Sequence, residues 1–310
     1  MHCVLLSDTL DLRDYLSDII RELDHITFVD HRDRHNPSDV RLAVAWHPAR
    51  DAFDSYPELK AVCSIGAGAD NILSCPSLRR GIDVVRVVDP AQAEMMSGFV
   101  LWHVIWHQRR FATYLAQQRE RVWQRLSQRS ARDVSVGILG YGEIGRRVAN
   151  DVMALGFPVN VWSRTMKSVP AGVKAYHAAE GLSAMLNNTE ILINLLPLTA
   201  ETRGILNLTT FRKMKRGGYL IQVGRGEHLI EQDLLTALDE GQLAGASLDV
   251  FSSEPLGRQH PFWTHPKIIV TPHDACDVSM NAIKATIATT ADAVRTGQRT
   301  RHAINRERGY

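Results

Sequence analysis

The sequence is poor in cysteine, nearly balanced in charge and without a long apolar run, and each shortage removes a class of protein. Its cysteines are Cys3, Cys63, Cys75 and Cys276, and no two make a C-x-x-C pair. Reduced thiols in a cytoplasmic protein are the expectation. The formal net charge is +2 over 310 residues. A nucleic-acid-binding chain carries a strong basic patch or domain, so no nucleic-acid partner is expected. Arginines gather at Arg109-Arg110, from Arg119 to Arg132 and from Arg295 to Arg308, and read as solvated helix faces and a tail. No run of about 18 apolar residues is present, so no membrane span is expected. Met1 to Asp8 has no basic segment and reads as a first strand, not a signal peptide. There is no internal repeat. What remains, 45% hydrophobic and 23% charged, is an ordinary globular composition, and the length suggests about two domains.

The stretch Val134-Ser135-Val136-Gly137-Ile138-Leu139-Gly140-Tyr141-Gly142-Glu143-Ile144-Gly145 organises the chain. Val134, Val136, Ile138 and Leu139 read as a strand. Ile144, Val148, Val152 and Leu155 recur at helical spacing and give the following helix a face to bury. Strand, Gly-x-Gly-x-x-Gly and helix form the dinucleotide fingerprint. Gly140 makes the tight turn, Gly142 admits a pyrophosphate to the backbone, and Gly145 lets helix and strand pack closely. The helix N-terminus offers N–H groups and a positive dipole end to phosphates. Gly140, Tyr141, Gly142, Glu143, Ile144 and Gly145 are therefore the expected cofactor loop.

Strands are expected over residues 3–6, 26–29, 42–45, 60–65 and 84–88, with a helix over 11–23. Past the fingerprint, strands at 159–162, 190–195, 219–223, 246–250 and 268–271 alternate with helices at 178–186, 209–216 and 231–240. That alternation is a doubly wound α/β pattern with parallel sheets. A final helix over 279–296 is expected to pack back on the first domain. Residues 97–106 are apolar nearly all round, which predicts a helix buried on several sides at an interdomain or intersubunit seam. Residues 109–132 read as polar helix. His103 and His107 lie one turn apart but not as H-E-x-x-H, so they read as core or interface histidines. His25, His31 and His35 read as surface residues, and no metal is expected.

Enzymes that use NAD place Asp or Glu about 20 residues past the glycines, to accept from the ribose 2′-OH. Here the chain reads Trp162-Ser163-Arg164-Thr165, with Lys167 beyond. A hydroxyl, a guanidinium and an ammonium suit a 2′-phosphate, so NADPH is expected over NADH. Three further stretches end strands, where open α/β sheets bind ligands: Gln222-Val223-Gly224-Arg225-Gly226, Leu248-Asp249-Val250-Phe251-Ser252-Ser253-Glu254-Pro255-Leu256, and Val270-Thr271-Pro272-His273-Asp274. Arg225, between two glycines, can meet a carboxylate bidentately.

With these motifs the chain resembles the D-isomer-specific 2-hydroxyacid dehydrogenases over essentially its whole length. Trp46-His47-Pro48, Gly66-Ala67-Gly68-Ala69-Asp70, Leu192-Ile193-Asn194-Leu195-Leu196-Pro197, Asp249-Val250-Phe251, Glu254-Pro255-Leu256, Thr271-Pro272-His273 and the terminal Arg308-Gly309-Tyr310 share in the resemblance. It implies a Rossmann dinucleotide-binding domain (residues 99–274) inserted in a flavodoxin-like substrate domain (1–98 plus 275–310). It implies Arg225, Glu254 and His273 as the catalytic set. The cofactor would be flanked by Leu196-Pro197, Val223-Gly224 and Asp249, the last facing the nicotinamide carboxamide. Trp46, Ala67 and Gly68 would meet the substrate with Arg225 and His273, the Ala67-Gly68 amides holding its carboxylate. It further implies a homodimer on a helical arm like residues 99–130.

The expected function is NADPH-dependent reduction of small 2-keto acids, glyoxylate and hydroxypyruvate foremost, with NADH possible. Trp46, Trp263 and the buried tryptophans are read as walls of a small pocket. The alternatives are another 2-keto acid or a non-catalytic NAD(P)-sensing protein on the same fold. The departures are Asp274 after His273, Gln222 where Asn is usual, and Met95-Met96-Ser97-Gly98 where a Glu is usual.

Overall fold

The computed structural model describes residues 1–306, so Arg308-Gly309-Tyr310 lie outside the described residues. The chain divides into two compact units, one of Met1–Ala91 with the chain from Val278 on, the other of Gln92–Asp277. These divisions fall a few residues from the expected 98/99 and 274/275. The helix Pro90–Gln108 joins the second unit from its first turns, because Met96, Val100 and Val104 are buried in that unit's core.

In the first unit β1 (His2–Leu6), β2 (Thr27–Asp30), β3 (Val40–Ala45), β4 (Ala61–Ser64) and β5 (Asp83–Val85) make a parallel sheet in the order β2-β1-β3-β4-β5. This is the flavodoxin-like order. β4 is buried at every position, as a parallel strand covered on both faces must be. Leu12, Leu16 and Ile19 cover one face together with Ile283, Ile287 and Ala291 of the final helix, Met280–Thr296. Phe53, Tyr56, Ile72 and Leu78 cover the other. The final helix starts under Ser279, whose hydroxyl accepts from the Ala282 N–H. The expected helix over 11–23 breaks at Leu16 (φ −101°, ψ 15°) into Leu12–Tyr15 and Ser17–Glu22.

In the second unit β6 (Val136–Leu139), β7 (Val159–Ser163), β8 (Val173–His177), β9 (Ile191–Asn194), β10 (Gly218–Gln222), β11 (Leu243–Leu248) and β12 (Ile268–Val270) make a parallel Rossmann sheet in the order β12-β11-β10-β9-β6-β7-β8. The chain runs outward from β6 to β8, returns beside β6 as β9, and runs outward again to β12. The reversal lies between β6 and β9, where Leu139 is in register with Asn194. Open α/β sheets take ligands at that crevice.

Sequence patterning missed β8. It is an edge strand with Val173 its one buried residue, so it has no apolar run to read. Within this chain the helix Pro90–Gln108 buries one side, with Met96, Val100, His103 and Val104, and leaves Trp102 51% and Ile105 37% exposed on the other. One further expectation is corrected. Of residues 109–132, only Phe111–Glu120 form an α-helix, and Arg121 ends it in the left-handed region at φ 57°. No helix among the described residues is long and apolar enough to cross a membrane.

Candidate active site

The fingerprint turn is shaped by two contacts that only glycine tolerates. Gly140 sits at φ 100°, and a Cβ there would lie 2.8 Å from the Leu195 carbonyl oxygen at the end of β9. A Cβ on Gly145 would lie 2.1 Å from the Gly140 oxygen. Gly142 differs, since a Cβ on it would meet nothing within 4 Å. It caps the helix Glu143–Ala154 without any side-chain hydrogen bond, so the first N–H groups of that helix face the open space. That cradle fits a pyrophosphate. Tyr141 turns into the core and Ile144 packs against it, while Glu143 is exposed and ion-paired with Arg146. From these residues the backbone, more than the side chains, is offered to a cofactor.

At the end of β7, Arg164, Thr165 and Lys167 are exposed. Ser163 is 9% exposed, and its hydroxyl donates to the Thr165 carbonyl at 2.8 Å. Its proton therefore goes to the loop carbonyl. Arg164 lies near Glu201, whose carboxyl is held below its ordinary range by a hydrogen bond from Thr199 and its own backbone, and in lesser part by Arg164. At the end of β9 the Leu196 side chain is 7% exposed and Pro197 half-buried, and the Pro197 carbonyl accepts from the Thr202 hydroxyl at 2.8 Å. Val223 is in the core, so only backbone from Val223-Gly224 reaches the strand end.

Arg225, Glu254 and His273 follow β10, β11 and β12. His273 Nδ1 and Glu254 Oε2 are 2.8 Å apart, and Glu254 Oε1 accepts from the Phe251 N–H at 2.9 Å. The hydrogen bond to Glu254 raises the His273 pKa from 6.5, against burial and Arg225, which lower it. Burial alone would raise Glu254, but the bonds from His273 and Phe251 outweigh it and its pKa falls. With Nδ1 committed to Glu254, Nε2 is the nitrogen left to meet a substrate. Arg225 is half-buried and donates to the Gly224 carbonyl at 2.8 Å.

Asp249 is 2% exposed. Its Oδ1 accepts from the Thr271 hydroxyl at 2.6 Å and the Asp274 N–H at 2.9 Å, and its Oδ2 from the Ala275 N–H at 3.1 Å. Three of its acceptor sites thus hold the segment that carries His273. Residue types alone did not indicate this holding role.

In the first unit, Gly66-Ala67-Gly68 follows β4, and all three residues are partly exposed. The buried Ser64 hydroxyl donates to the Gly68 carbonyl at 2.8 Å and accepts from the Gly66 N–H at 3.1 Å. Trp46 backs the loop, its ring 3.0 Å from where a Gly66 Cβ would stand. None of the six tryptophans is fully buried, and Trp263 is 49% exposed, which corrects the expectation of buried tryptophan walls. The histidine pair on Pro90–Gln108 is structural. His103 Nδ1 bonds Ser247 at 2.6 Å, and His107 bonds Glu190 at 3.3 Å.

Sequence reading also missed Asn194 and His228, and noted Gln222 only as a departure. All three are fully buried beside Arg225. For Asn194 and Gln222 a polar residue closing an otherwise apolar strand was the available signal, whereas His228 lies in the short turn Gly226–His228 and gave none.

Comparisons with known proteins give the family. The profile of the D-isomer specific 2-hydroxyacid dehydrogenase NAD binding domain matches residues 101–275. Glyoxylate/hydroxypyruvate reductase A of Serratia proteamaculans is 39% identical over 282 residues, 88% of this chain and 90% of that one. A D-isomer specific 2-hydroxyacid dehydrogenase from Xanthobacter autotrophicus, solved with NADPH and MES, superposes with a TM-score of 0.93 at 33% identity, covering 100% of this chain and 99% of that one. An NADPH-dependent glyoxylate/hydroxypyruvate reductase from Sinorhizobium meliloti, solved with NADP and sulfate, superposes with a TM-score of 0.91 at 35% identity, covering 100% and 99%. With its Rossmann unit, glycine cradle and late arginine, glutamate and histidine, the chain belongs to the D-isomer-specific 2-hydroxyacid dehydrogenases and is an oxidoreductase that uses a nicotinamide dinucleotide.

Proposed function

We propose that this enzyme reduces small 2-keto acids with NADPH, taking glyoxylate to glycolate and hydroxypyruvate to D-glycerate, with His273 as the proton donor. The His273–Glu254 pair at 2.8 Å carries the reading. Reduction adds a hydride to the carbonyl carbon and a proton to its oxygen. An imidazole held charged by a neighbouring carboxylate is suited to give that proton. The bound cofactor would supply the hydride. Arg225 would bind the substrate carboxylate and polarise the ketone, and its hold strengthens as negative charge builds on the ketone oxygen. The Ala67-Gly68 amides would take the carboxylate as well, with Trp46 limiting the size of the group beyond it.

The Gly142 cradle would take the pyrophosphate, and Arg164 and Lys167 a 2′-phosphate; no carboxylate closes β7 to repel one. Leu196-Pro197 would flank the adenosine half and Asp249 the carboxamide. The names of the Serratia and Sinorhizobium relatives supply the two substrates. A cytoplasmic homodimer belongs to the same reading, with the exposed Trp102, Ile105, Phe111 and Leu115 as its seam.

The test is spectrophotometric. NADPH and NADH oxidation are followed with glyoxylate, hydroxypyruvate, pyruvate and a branched keto acid. The highest kcat/KM is expected with NADPH and one of the first two. A protein that oxidises neither cofactor with any of the four would overturn the reading.

A further inference from the structure

A closed ring of hydrogen bonds lies beneath Arg225. The Arg225 N–H donates to His228 Nδ1 at 3.0 Å, and the His228 N–H donates back to the Arg225 carbonyl at 3.0 Å. His228 Nε2 then reaches the Pro197 carbonyl at 3.3 Å. A second route runs from Arg225 to the same turn. Its carbonyl accepts from Gln222 Nε2 at 2.8 Å, Gln222 Oε1 accepts from Asn194 Nδ2 at 2.8 Å, and Asn194 Oδ1 accepts from the Leu196 N–H at 3.3 Å. Asn194, Gln222 and His228 are each 0% exposed. One nitrogen of His228 accepts and the other donates, so the ring fixes the neutral Nε2–H tautomer. Burial lowers the pKa of this histidine, in keeping with that form.

Apolar side chains at these positions would leave the Arg225 N–H and the carbonyls they now face without these partners, so the fully paired ring fixes the backbone at this buried sheet end. Gln222, one methylene longer than the usual Asn, spans from Asn194 to the Arg225 carbonyl. We propose that His228, with Gln222 and Asn194, is a positioning residue that couples the substrate-binding arginine to the Leu196-Pro197 cofactor turn. Its two nitrogens do separable work: Nδ1 sets Arg225, and Nε2–H sets Pro197. The inference rests on the proposed roles of Arg225 and of that turn.

The two halves can be cut apart. His228→Asn keeps an acceptor near the Nδ1 position and is too short to reach Pro197. His228→Gln keeps a donor near Nε2 and leaves the Arg225 N–H without its partner. NADPH dissociation constants come from fluorescence titration, keto-acid KM and kcat from steady-state rates, and folding from thermal melts. His228→Gln should raise KM about 10-fold and leave the NADPH Kd within about twofold, whereas His228→Asn should do the reverse. His228→Leu should raise both constants. Variants that fold and keep both constants within about twofold of wild type overturn the inference. So do His228→Asn and His228→Gln variants in which both constants move together in proportion to lost thermal stability, which is what a merely structural histidine gives. If the wild type binds NADPH but reduces no keto acid, the reading of function fails and the inference falls with it. If the wild type turns over and the split is absent, the inference alone fails.

Discussion

His273 holds its backbone in the left-handed region, at φ 56°, while its ring sits 2.8 Å from Glu254. A non-glycine residue there costs on the order of 1–3 kcal/mol and persists only where its surroundings impose it. The buried Asp249 imposes it, accepting from the Thr271 hydroxyl and from two N–H groups just past the histidine. Hydrogen bonds to a carboxylate contribute about 1.5–3 kcal/mol each, enough together to offset the strain. One carboxylate thus aims the ring, and another sets its charge.

The charge has a pH signature. Glu254 raises the His273 pKa above 6.5, and the proposed proton donation needs the imidazolium. kcat/KM for reduction should therefore hold at lower pH and fall as pH rises through that raised value. The linkage has the same sign: the stability contributed by the raised His273 pKa is fully present below the unfolded pKa of about 6.5 and is lost as pH rises through the folded value. Glu254→Gln should move the alkaline limb of the kcat/KM profile to lower pH. An unmoved limb in that variant would remove Glu254 from this role.

Removing the donor or the clamp should be costly. His273→Ala and Arg225→Ala are each expected to lower kcat/KM roughly 100-fold or more, the usual scale for a lost general acid or a lost transition-state hydrogen-bond donor. Arg225→Ala should act on both KM and kcat. Near wild-type turnover from either variant contradicts the assignment.

Cofactor choice should reside in Arg164. Charge-assisted hydrogen bonds from a guanidinium correspond to about 10-fold or more in affinity, so Arg164→Ala should lower the NADPH/NADH ratio of kcat/KM by at least about that factor. Ser163→Ala should change the ratio little, because the Ser163 hydroxyl already donates to Thr165. An unchanged ratio in Arg164→Ala would place the preference elsewhere.

Two fingerprint glycines should fail in different ways. A methyl on Gly145 collides with the Gly140 carbonyl, whereas one on Gly142 meets nothing within 4 Å. Gly145→Ala should therefore lower the melting temperature of the free protein. Gly142→Ala should melt like wild type yet bind NADPH more weakly, since the methyl fills space meant for a phosphate. Calorimetry and fluorescence titration of the same preparations separate the two. Equal melting temperatures for the two variants would refute the packing argument for Gly145.

The strands and glycines were legible because their signals are local. Val136, Ile138 and Leu139 sit next to the turn they feed, and Gly140 and Gly145 are five positions apart on one strand–helix unit. The resemblance added Arg225, Glu254 and His273, which the fold sets at the ends of three successive strands of the second unit. Polarity misled where packing decides. The edge strand β8 lay unread because an edge strand needs few apolar side chains.

By itself the sequence determined the two doubly wound sheets, the nucleotide turn and the residue types of the chemistry, since periodicity and glycine placement act over a few residues. Only the tertiary structure decided that Asp249 holds the His273 segment, that the Ser163 hydroxyl is engaged, and that Asn194, Gln222 and His228 close a ring under Arg225. The physical reason is distance along the chain. Asn194 and Gln222 are 28 residues apart, and Pro197 and His228 are 31. No local pattern links such pairs until parallel strands bring their ends side by side.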